Sequence, residues 1–404
     1  MKNKFYPLVK NPFKKKDIDL GIKVLKSKQL TMAGETKKLE QMICKKLKIK
    51  YAVMVNSGSS ANLLAFQCLI NPYRKNRLRE NDEVIIPAVC WSTSFWPIVQ
   101  SNLKPVFVDV DPITLNIDEK ELEKRITKKT KAIMLIHVLG NSSNMKTIMQ
   151  IKKKYNLILV EDTCESFGSI YEKNYLGSFG DFSSFSFYTS HQISAGEGGV
   201  VCCKNSEDYE IIKSLRSHGW TRNLNIHSKI KFDKKYLDKK FLFYNSGFNL
   251  RPTEISAIIA RNQISKHGKA NQVRNQNRLK IINKFLSNNI LKDKFGFVYA
   301  NKNVTPSWFC LTMFIKDKSI NKNKFLEELE LHGIETRPVI SGNFARQPVF
   351  EKYKIINNKK FKRADYISKY YFFIGLYSDP LKERELNKLT NIFLNTYKII
   401  KYVR

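Results

Sequence analysis

No apolar run in this 404-residue chain approaches the ~18–20 residues that a membrane-spanning helix needs. The most hydrophobic stretch near the C-terminus, Tyr370 to Tyr377, is far shorter and reads as a buried strand. The N-terminus, MKNKFYPLVKNPFKKK, is basic but lacks an apolar segment, which argues against a secretory signal and for a soluble cytoplasmic protein. Cysteines are few: seven, an odd number, with no CxxC pair. That pattern fits neither a disulfide framework nor a structural zinc site, so no metal is expected. They read as small buried hydrophobes, with Cys202–Cys203 closing a strand that begins with Val200–Val201. Acidic residues are also short, 36 against 71 Lys and Arg, for a net charge of +35. Such an excess can mark a nucleic-acid binder. Here the basic runs (Lys14–Lys16, Lys45–Lys50, Lys152–Lys154, Lys229–Lys240) are scattered, with no zinc-finger or RNA-recognition signature. They read as solvated faces, and no nucleic-acid partner is expected. Internal repeats and low-complexity segments are absent.

Hydrophobic residues make up 42% of the chain and aromatics 12%, enough for a large core and incompatible with a disordered polymer. Short β-branched runs occur at Tyr51–Val55, Val84–Ala88, Val106–Val110, Ala132–Val138, Leu157–Glu161, Ser183–Tyr188 and Gly199–Cys203. Most are separated by enough residues for a crossover helix, which predicts an α/β fold with a mostly parallel sheet. Pro252-Thr253-Glu254 opens a long amphipathic stretch toward Phe285, with Thr253 as N-cap. A smaller α/β unit follows, with a strand near Trp308–Ile315 and helices at Lys322–His332 and Glu383–Tyr397. The expected domains are 1–262 and 263–404.

Four segments can carry chemistry at the carboxyl ends of such strands, where ligands bind in open α/β sheets. Asn56-Ser57-Gly58-Ser59-Ser60-Ala61-Asn62 is a Gly/Ser turn opening a helix, either a phosphate cradle or an ordinary cap. Trp91 either stacks on a flat ring or fills the core. Glu161-Asp162-Thr163-Cys164-Glu165 places carboxylates where an apolar strand ends, which is costly unless they are paired or used. Asp162 is suited to a protonated ring nitrogen and Glu165 to another ring substituent, though caps and salt bridges would explain both. Ser183 to Gly199, SSFSFYTSHQISAGEGG, delivers Ser186, Ser190 and His191 into a loop that Gly-Glu-Gly-Gly returns to the next strand.

That last string resembles the DegT/DnrJ/EryC1/StrS sugar aminotransferases, which bind pyridoxal phosphate (PLP) on the aspartate-aminotransferase, type I fold. In the family a lysine six residues before the Glu of the GEGG-like turn forms a Schiff base with the cofactor. Counting back six from Glu197 gives His191. The substitution resembles the sugar 3-dehydratase branch, above all its members acting on GDP-4-keto-6-deoxy-D-mannose. The likeness spans nearly the whole chain, including VMVNSGSSANLL (53–64), SHGWTRN (217–223), GFNLRP (247–252) and RPVISGNF (337–344). Closely spaced cysteine ligands of an iron–sulfur branch have no counterpart here.

The resemblance implies a large PLP-binding domain and a smaller C-terminal domain. Gly58, Ser59 and Ser186 would hold the cofactor phosphate, with Asn249 entering from a partner subunit of a homodimer. Trp91 would stack on the ring, Asp162 would pair with its nitrogen, and Glu165 would lie near its hydroxyl. Ser190 and His191 would be catalytic, with His218 a further participant. Arg222, Arg337 and the Thr31–Gly34 turn would touch substrate. PLP and its pyridoxamine form (PMP) would be held without a covalent bond, because imidazole makes no stable Schiff base. The implied activity removes the 3-hydroxyl of a nucleotide-linked 4-keto-6-deoxy sugar in deoxysugar or surface-polysaccharide synthesis, with L-glutamate regenerating PMP. GDP is the favoured nucleotide and CDP the other candidate. The rivals are a nucleotide-sugar aminotransferase, which would retain the amine on its product, and a polyanion-binding protein on an inactive cofactor fold.

Overall fold

The structure is a computed structural model describing residues 4–222, 224–225, 230–355 and 360–402. Asn223, the last residue of SHGWTRN, and Lys229, the first of the fourth basic run, lie outside the described residues. In chain order the strands are β1 (Tyr51–Val55), β2 (Glu83–Pro87), β3 (Lys104–Val108), β4 (Thr130–Ile136), β5 (Ile158–Asp162), β6 (Ile170–Tyr171) and β7 (Asn174–Tyr175). They continue with β8 (Phe182–Ser186), β9 (Gly199–Cys203), β10 (Phe295–Phe297), β11 (Val304–Thr305), β12 (Leu311–Ile315), β13 (Thr336–Arg337) and β14 (Tyr371–Ile374). Seven form the main sheet in the order β1-β9-β8-β5-β4-β2-β3. The pairs β3/β2, β2/β4, β4/β5 and β5/β8 are parallel. β9 runs against both of its neighbours, β1 and β8.

This topology determines where the site can form. β8 connects to β9 through residues 187–198 without a crossover helix, so the loop stays at the carboxyl end of β8. Because β1, β2, β4, β5 and β8 all point the same way, the segments after each of them emerge at one edge. The central strands are buried along their length, as sheets covered on both faces require.

A four-stranded antiparallel sheet, β10-β12-β14-β13, organises the C-terminal part, and β11-β6-β7 form a small third sheet. The helix Glu254–Leu286 runs between the two larger sheets. Its first turns bury Ala257, Ile258 and Ala260 with Met54, Phe185 and Val200 of the main sheet. Its last turns bury Ile281, Ile282 and Phe285 with Leu311, Met313 and Phe372 of the second. Residue 262 lies within this helix. Of the seven cysteines, five are buried and Cys44 and Cys164 are half-buried; none is in a disulfide.

Thr253 caps the long helix by accepting from the Ser256 N–H, and the next residue anchors a distant turn. The buried Glu254 carboxylate accepts from the backbone N–H groups of Ala33 (2.9 Å), Glu35 (2.6 Å) and Thr36 (2.9 Å), and from the Thr36 hydroxyl. These are orphan donors at the start of the helix Gly34–Leu47, so a side chain from the first turn of one helix closes the start of another. Glu254→Ala is therefore expected to destabilise the protein by about 3 kcal/mol, measured as a lower urea midpoint. An unchanged midpoint would mean that solvent satisfies those donors.

Candidate active site

The site is built around a contact that only glycine permits. The helix Gly58–Leu69 follows β1, with Ser57 as N-cap accepting from the Ser60 N–H. A Cβ on Gly58 would lie 2.5 Å from Ser186 Cβ and 2.8 Å from Cys164 Sγ. The helix N-terminus thus abuts the ends of β5 and β8. The first-turn N–H groups, the positive end of the helix dipole and the hydroxyls of Ser59 and Ser186 meet there, a chemistry suited to a phosphate. Ser59 Oγ is 2.7 Å from Thr93 Oγ1 on the neighbouring helix Ser92–Gln100.

Asp162 closes β5, and its carboxylate is held from three directions. Asn62 Nδ2 and Ser94 Oγ each donate to Oδ2 at 2.8 Å, and the Cys164 N–H donates to Oδ1 at 3.1 Å. Asn62 Oδ1 is buried without a hydrogen-bond partner among the described residues. Behind Asp162 the buried Glu161 accepts from the N–H groups of Gly177 (2.9 Å), Phe179 (2.8 Å) and Gly180 (2.5 Å). Its Oε2 also lies 2.8 Å from His137 Nε2. The His137 N–H donates to the Asp162 carbonyl, so this network fixes the backbone that carries Asp162.

Glu165 follows one turn later and accepts from the Leu139 N–H at 3.2 Å. Burial, with the Asp162 charge adding to it, pushes its pKa up from 4.5 to about 8. At neutral pH it is a hydrogen-bond donor as well as an acceptor.

His191 lies on the β8–β9 loop, with Nδ1 3.3 Å from Ser186 Oγ. Its ring is packed edge-on by Tyr188 (5.8 Å) and by Phe309 (5.3 Å), which arrives from the C-terminal part. Nε2 has no hydrogen-bond partner among the described residues. Burial pulls the imidazole pKa from 6.5 down to about 4, against the opposing pull of Asp162, so the ring is neutral at pH 7. Ser190 and His191 line a cleft of about 420 Å³.

Gly58, Ser186, His191, Ser59 and Asp162 thus meet at the carboxyl edge of the sheet. Trp91 precedes the helix Ser92–Gln100 and is 56% exposed at the same edge, so it is not a core residue. The 341–344 end of RPVISGNF docks beside it, Ser341 Oγ donating to the Cys90 carbonyl at 2.6 Å. His218, at a positive φ of 64°, bonds through its N–H to the Phe248 carbonyl. Asn249 is exposed in the paired segment and accepts from Arg251 Nε. The Thr31–Gly34 turn reaches the same region, where Met32 Sδ accepts from Ser217 Oγ. Arg222 lies over the Trp220 ring, and Arg337 pairs with Glu335. Neither arginine has a hydrogen bond, ion pair or ring contact with His191 or Asp162 among the described residues.

Sequence reasoning did not assign roles to Asn62, Ser94, Phe309 or the His137–Glu161 pair. Asn62 stood inside a motif already singled out and Ser94 just beyond Trp91, outside any such motif, whereas Phe309 is brought in by tertiary packing alone. Among the described residues no group of three or more His, Cys, Asp or Glu is placed to hold a metal, and no helix is long and apolar enough to cross a membrane.

The family described as DegT/DnrJ/EryC1/StrS aminotransferases matches residues 13–392. GDP-4-keto-6-deoxy-D-mannose 3-dehydratase of Escherichia coli O55:H7 is 37% identical over 377 residues, covering 92% of this chain and 95% of its own. The solved structure of an E. coli GDP-4-keto-6-deoxy-D-mannose-3-dehydratase with bound hydrated PLP superposes with a TM-score of 0.87 at 35% identity, over 96% and 99% of the two chains. A structure of such a dehydratase with a trapped PLP–glutamate geminal diamine gives 0.86 at 34% identity, over 96% and 100%.

The two shifted groups act on stability in opposite directions. Glu165, with its pKa raised, adds stability that is complete below pH 4.5 and lost as the pH climbs through about 8. His191, with its pKa depressed, adds stability that is complete above pH 6.5 and lost as the pH falls through about 4. Glu165→Gln is therefore expected to flatten the fall in melting temperature between pH 6.5 and 8, above the range in which His191 titrates, followed by calorimetry across that range. An equally steep fall in the variant would place the titrating group elsewhere.

Proposed function

The chain belongs to the DegT/DnrJ/EryC1/StrS aminotransferase family, and from that premise we propose that it is a PLP/PMP-dependent 3-dehydratase of a GDP-linked 4-keto-6-deoxy sugar, with glutamate as amino donor. The observation that carries this is His191, an imidazole beside Ser186 and within the electrostatic reach of Asp162, where the family has its lysine.

The residues present fit the cofactor. A cradle that any Cβ on Gly58 would fill, the Ser59 and Ser186 hydroxyls and the start of the helix suit its phosphate. Asp162, held by Asn62 and Ser94, suits a protonated ring nitrogen. Trp91 offers an open indole face for stacking, and the protonated Glu165 can donate to a ring oxygen. When bound, the cofactor supplies an electron sink for the pair released as a C–H bond breaks.

The chain itself contributes placement, charge and proton transfer. An imidazole has no amine with which to tether an aldehyde, so retention falls to the phosphate cradle and Asp162. Being neutral at pH 7, the ring can accept a proton and hand it to the departing 3-hydroxyl, which leaves as water. Ser186, 3.3 Å from Nδ1, orients the imidazole for both steps. Asp162 raises the proton affinity that burial lowers. The expected product is a 3-deoxy-4-keto sugar, and ammonia leaves when the amine is lost by hydrolysis.

We further infer a cytoplasmic homodimer in which Asn249 completes the partner's cofactor site, with Ser190 and His218 as further participants in catalysis and Arg222 and Arg337 as substrate contacts. Support comes from the exposure of Asn249 and from exposed Phe241 and Phe243 stacked beside Trp220 in the preceding segment. Sedimentation should give twice the 47.1 kDa chain mass, and Asn249→Ala should weaken PLP binding without lowering the melting temperature of the PLP-free protein. A monomer that binds PLP with undiminished affinity would refute this arrangement.

His191→Asn is expected to lower 3-hydroxyl loss by roughly 10²–10⁴-fold, the contribution of a placed acid–base group, while PLP still binds as judged by its absorbance. The assay incubates protein, PLP, glutamate and GDP-4-keto-6-deoxymannose and weighs the products. An aminosugar would favour the aminotransferase, and full dehydration by the variant would remove His191 from the chemistry.

A further inference from the structure

The cleft beside His191 is bounded by residues 8–17, the 189–194 loop, the middle of the long helix and residues 376–378. Its charged lining is Lys10, Lys14, Lys266, Lys269 and Arg274 against a single acid, Asp17. Two of the cations are already neutralised, Lys10 by Glu385 and Lys14 by Asp379, each at 2.7 Å. Asp17 accepts from Asn262 Nδ2 (2.6 Å) and from the Lys14 N–H (2.9 Å). Lys266, Lys269 and Arg274 remain without a carboxylate partner among the described residues. The two lysines are exposed, whereas Arg274 is half-buried.

Arg274 has five N–H donors and among the described residues uses one, Nη1 donating to the Trp308 carbonyl at 3.2 Å. The next residue, Phe309, packs its ring against His191. Arg274 is also near enough for its charge to lower the imidazole's proton affinity. Removing a guanidinium from water with so few bonds is costly unless an anion completes them.

In the proposed reaction two reactants carry anions, the amino-acid donor and the diphosphate of the nucleotide sugar. Bond counting separates them. A donor's α-carboxylate is two bonds from the nitrogen that reacts. The phosphorus nearest the sugar is five bonds from its carbon 4, by way of the ring oxygen. The cation that borders the proton-transferring imidazole therefore matches the carboxylate, and a planar guanidinium matches a planar carboxylate two bonds at a time. We propose that Arg274 is the anchor for a carboxylate of the amino donor, in the cleft that opens beside His191. This deepens the dehydratase reading and rests on it for the identity of the donor.

The test uses glutarate, which has the carboxylates of glutamate but no amine to react. Titrated calorimetrically into PLP-loaded protein, it should bind roughly 10–100-fold more weakly to Arg274→Gln than to the wild type. The glutamate KM of the same variant should rise in step, while affinity for GDP and inorganic pyrophosphate falls by much less. In the wild type, phenylglyoxal should modify Arg274, and glutarate but not pyrophosphate should protect it, as mapped by mass spectrometry. That second measurement decides the matter even where the variant does not fold. Equal glutarate affinity in variant and wild type, unprotected Arg274, or a larger loss for pyrophosphate than for glutarate would overturn the proposal. A wild type that binds glutarate through Arg274 yet consumes no glutamate would leave the carboxylate site standing and refute the donor reading alone.

Discussion

The approach of Gly58 to Ser186 and Cys164 is the constraint on which the rest of the site depends. Without a Cβ at residue 58, the first turn of a helix can lie against the ends of two strands. Ser186 is then held between the helix N-terminus and His191, and Asn62 one turn further on reaches Asp162. Phosphate chemistry, the acidic ring partner and the imidazole are thereby set at fixed separations by one backbone contact. Any side chain at residue 58 would push the helix away from β5 and β8 and loosen all three.

Much of this was legible because buried strands write themselves as short β-branched runs. The seven runs of the main sheet fall within a few residues of β1, β2, β3, β4, β5, β8 and β9, and Thr253 caps the long helix as its spacing implied. His191 was legible by its offset from Glu197, and Asp162 by the cost of ending an apolar strand on a carboxylate. The family and its α/β type I fold followed from those motifs taken together. What stayed hidden was long-range. Asn62 and Ser94 reach Asp162 across 100 and 68 residues, and no local pattern announces a hydrogen bond of that kind. Phe309 and Arg274 join the His191 wall only because the C-terminal part of the chain folds against the β8–β9 loop. The reversed direction of β9 was equally invisible, since a buried antiparallel strand between two neighbours has the same apolar texture as a parallel one.

Electrostatics divides the site into two regimes. At the sheet edge, burial raises Glu165 and lowers His191, so both are uncharged at neutral pH and Asp162 supplies the local negative charge. In the adjoining cleft the excess is positive, consistent with the +35 of the whole chain. His191 stands on the boundary, between a carboxylate that favours its protonation and a guanidinium that opposes it. A proton carrier in that position responds to whichever anion is bound beside it.

An imidazole at residue 191 also changes the protein's relation to vitamin B6. A lysine-tethered relative keeps its coenzyme through a covalent bond, whereas a cradle of hydroxyls and amides obeys mass action. Occupancy then tracks the free coenzyme supply, and so does the stabilisation that binding confers on the folded chain.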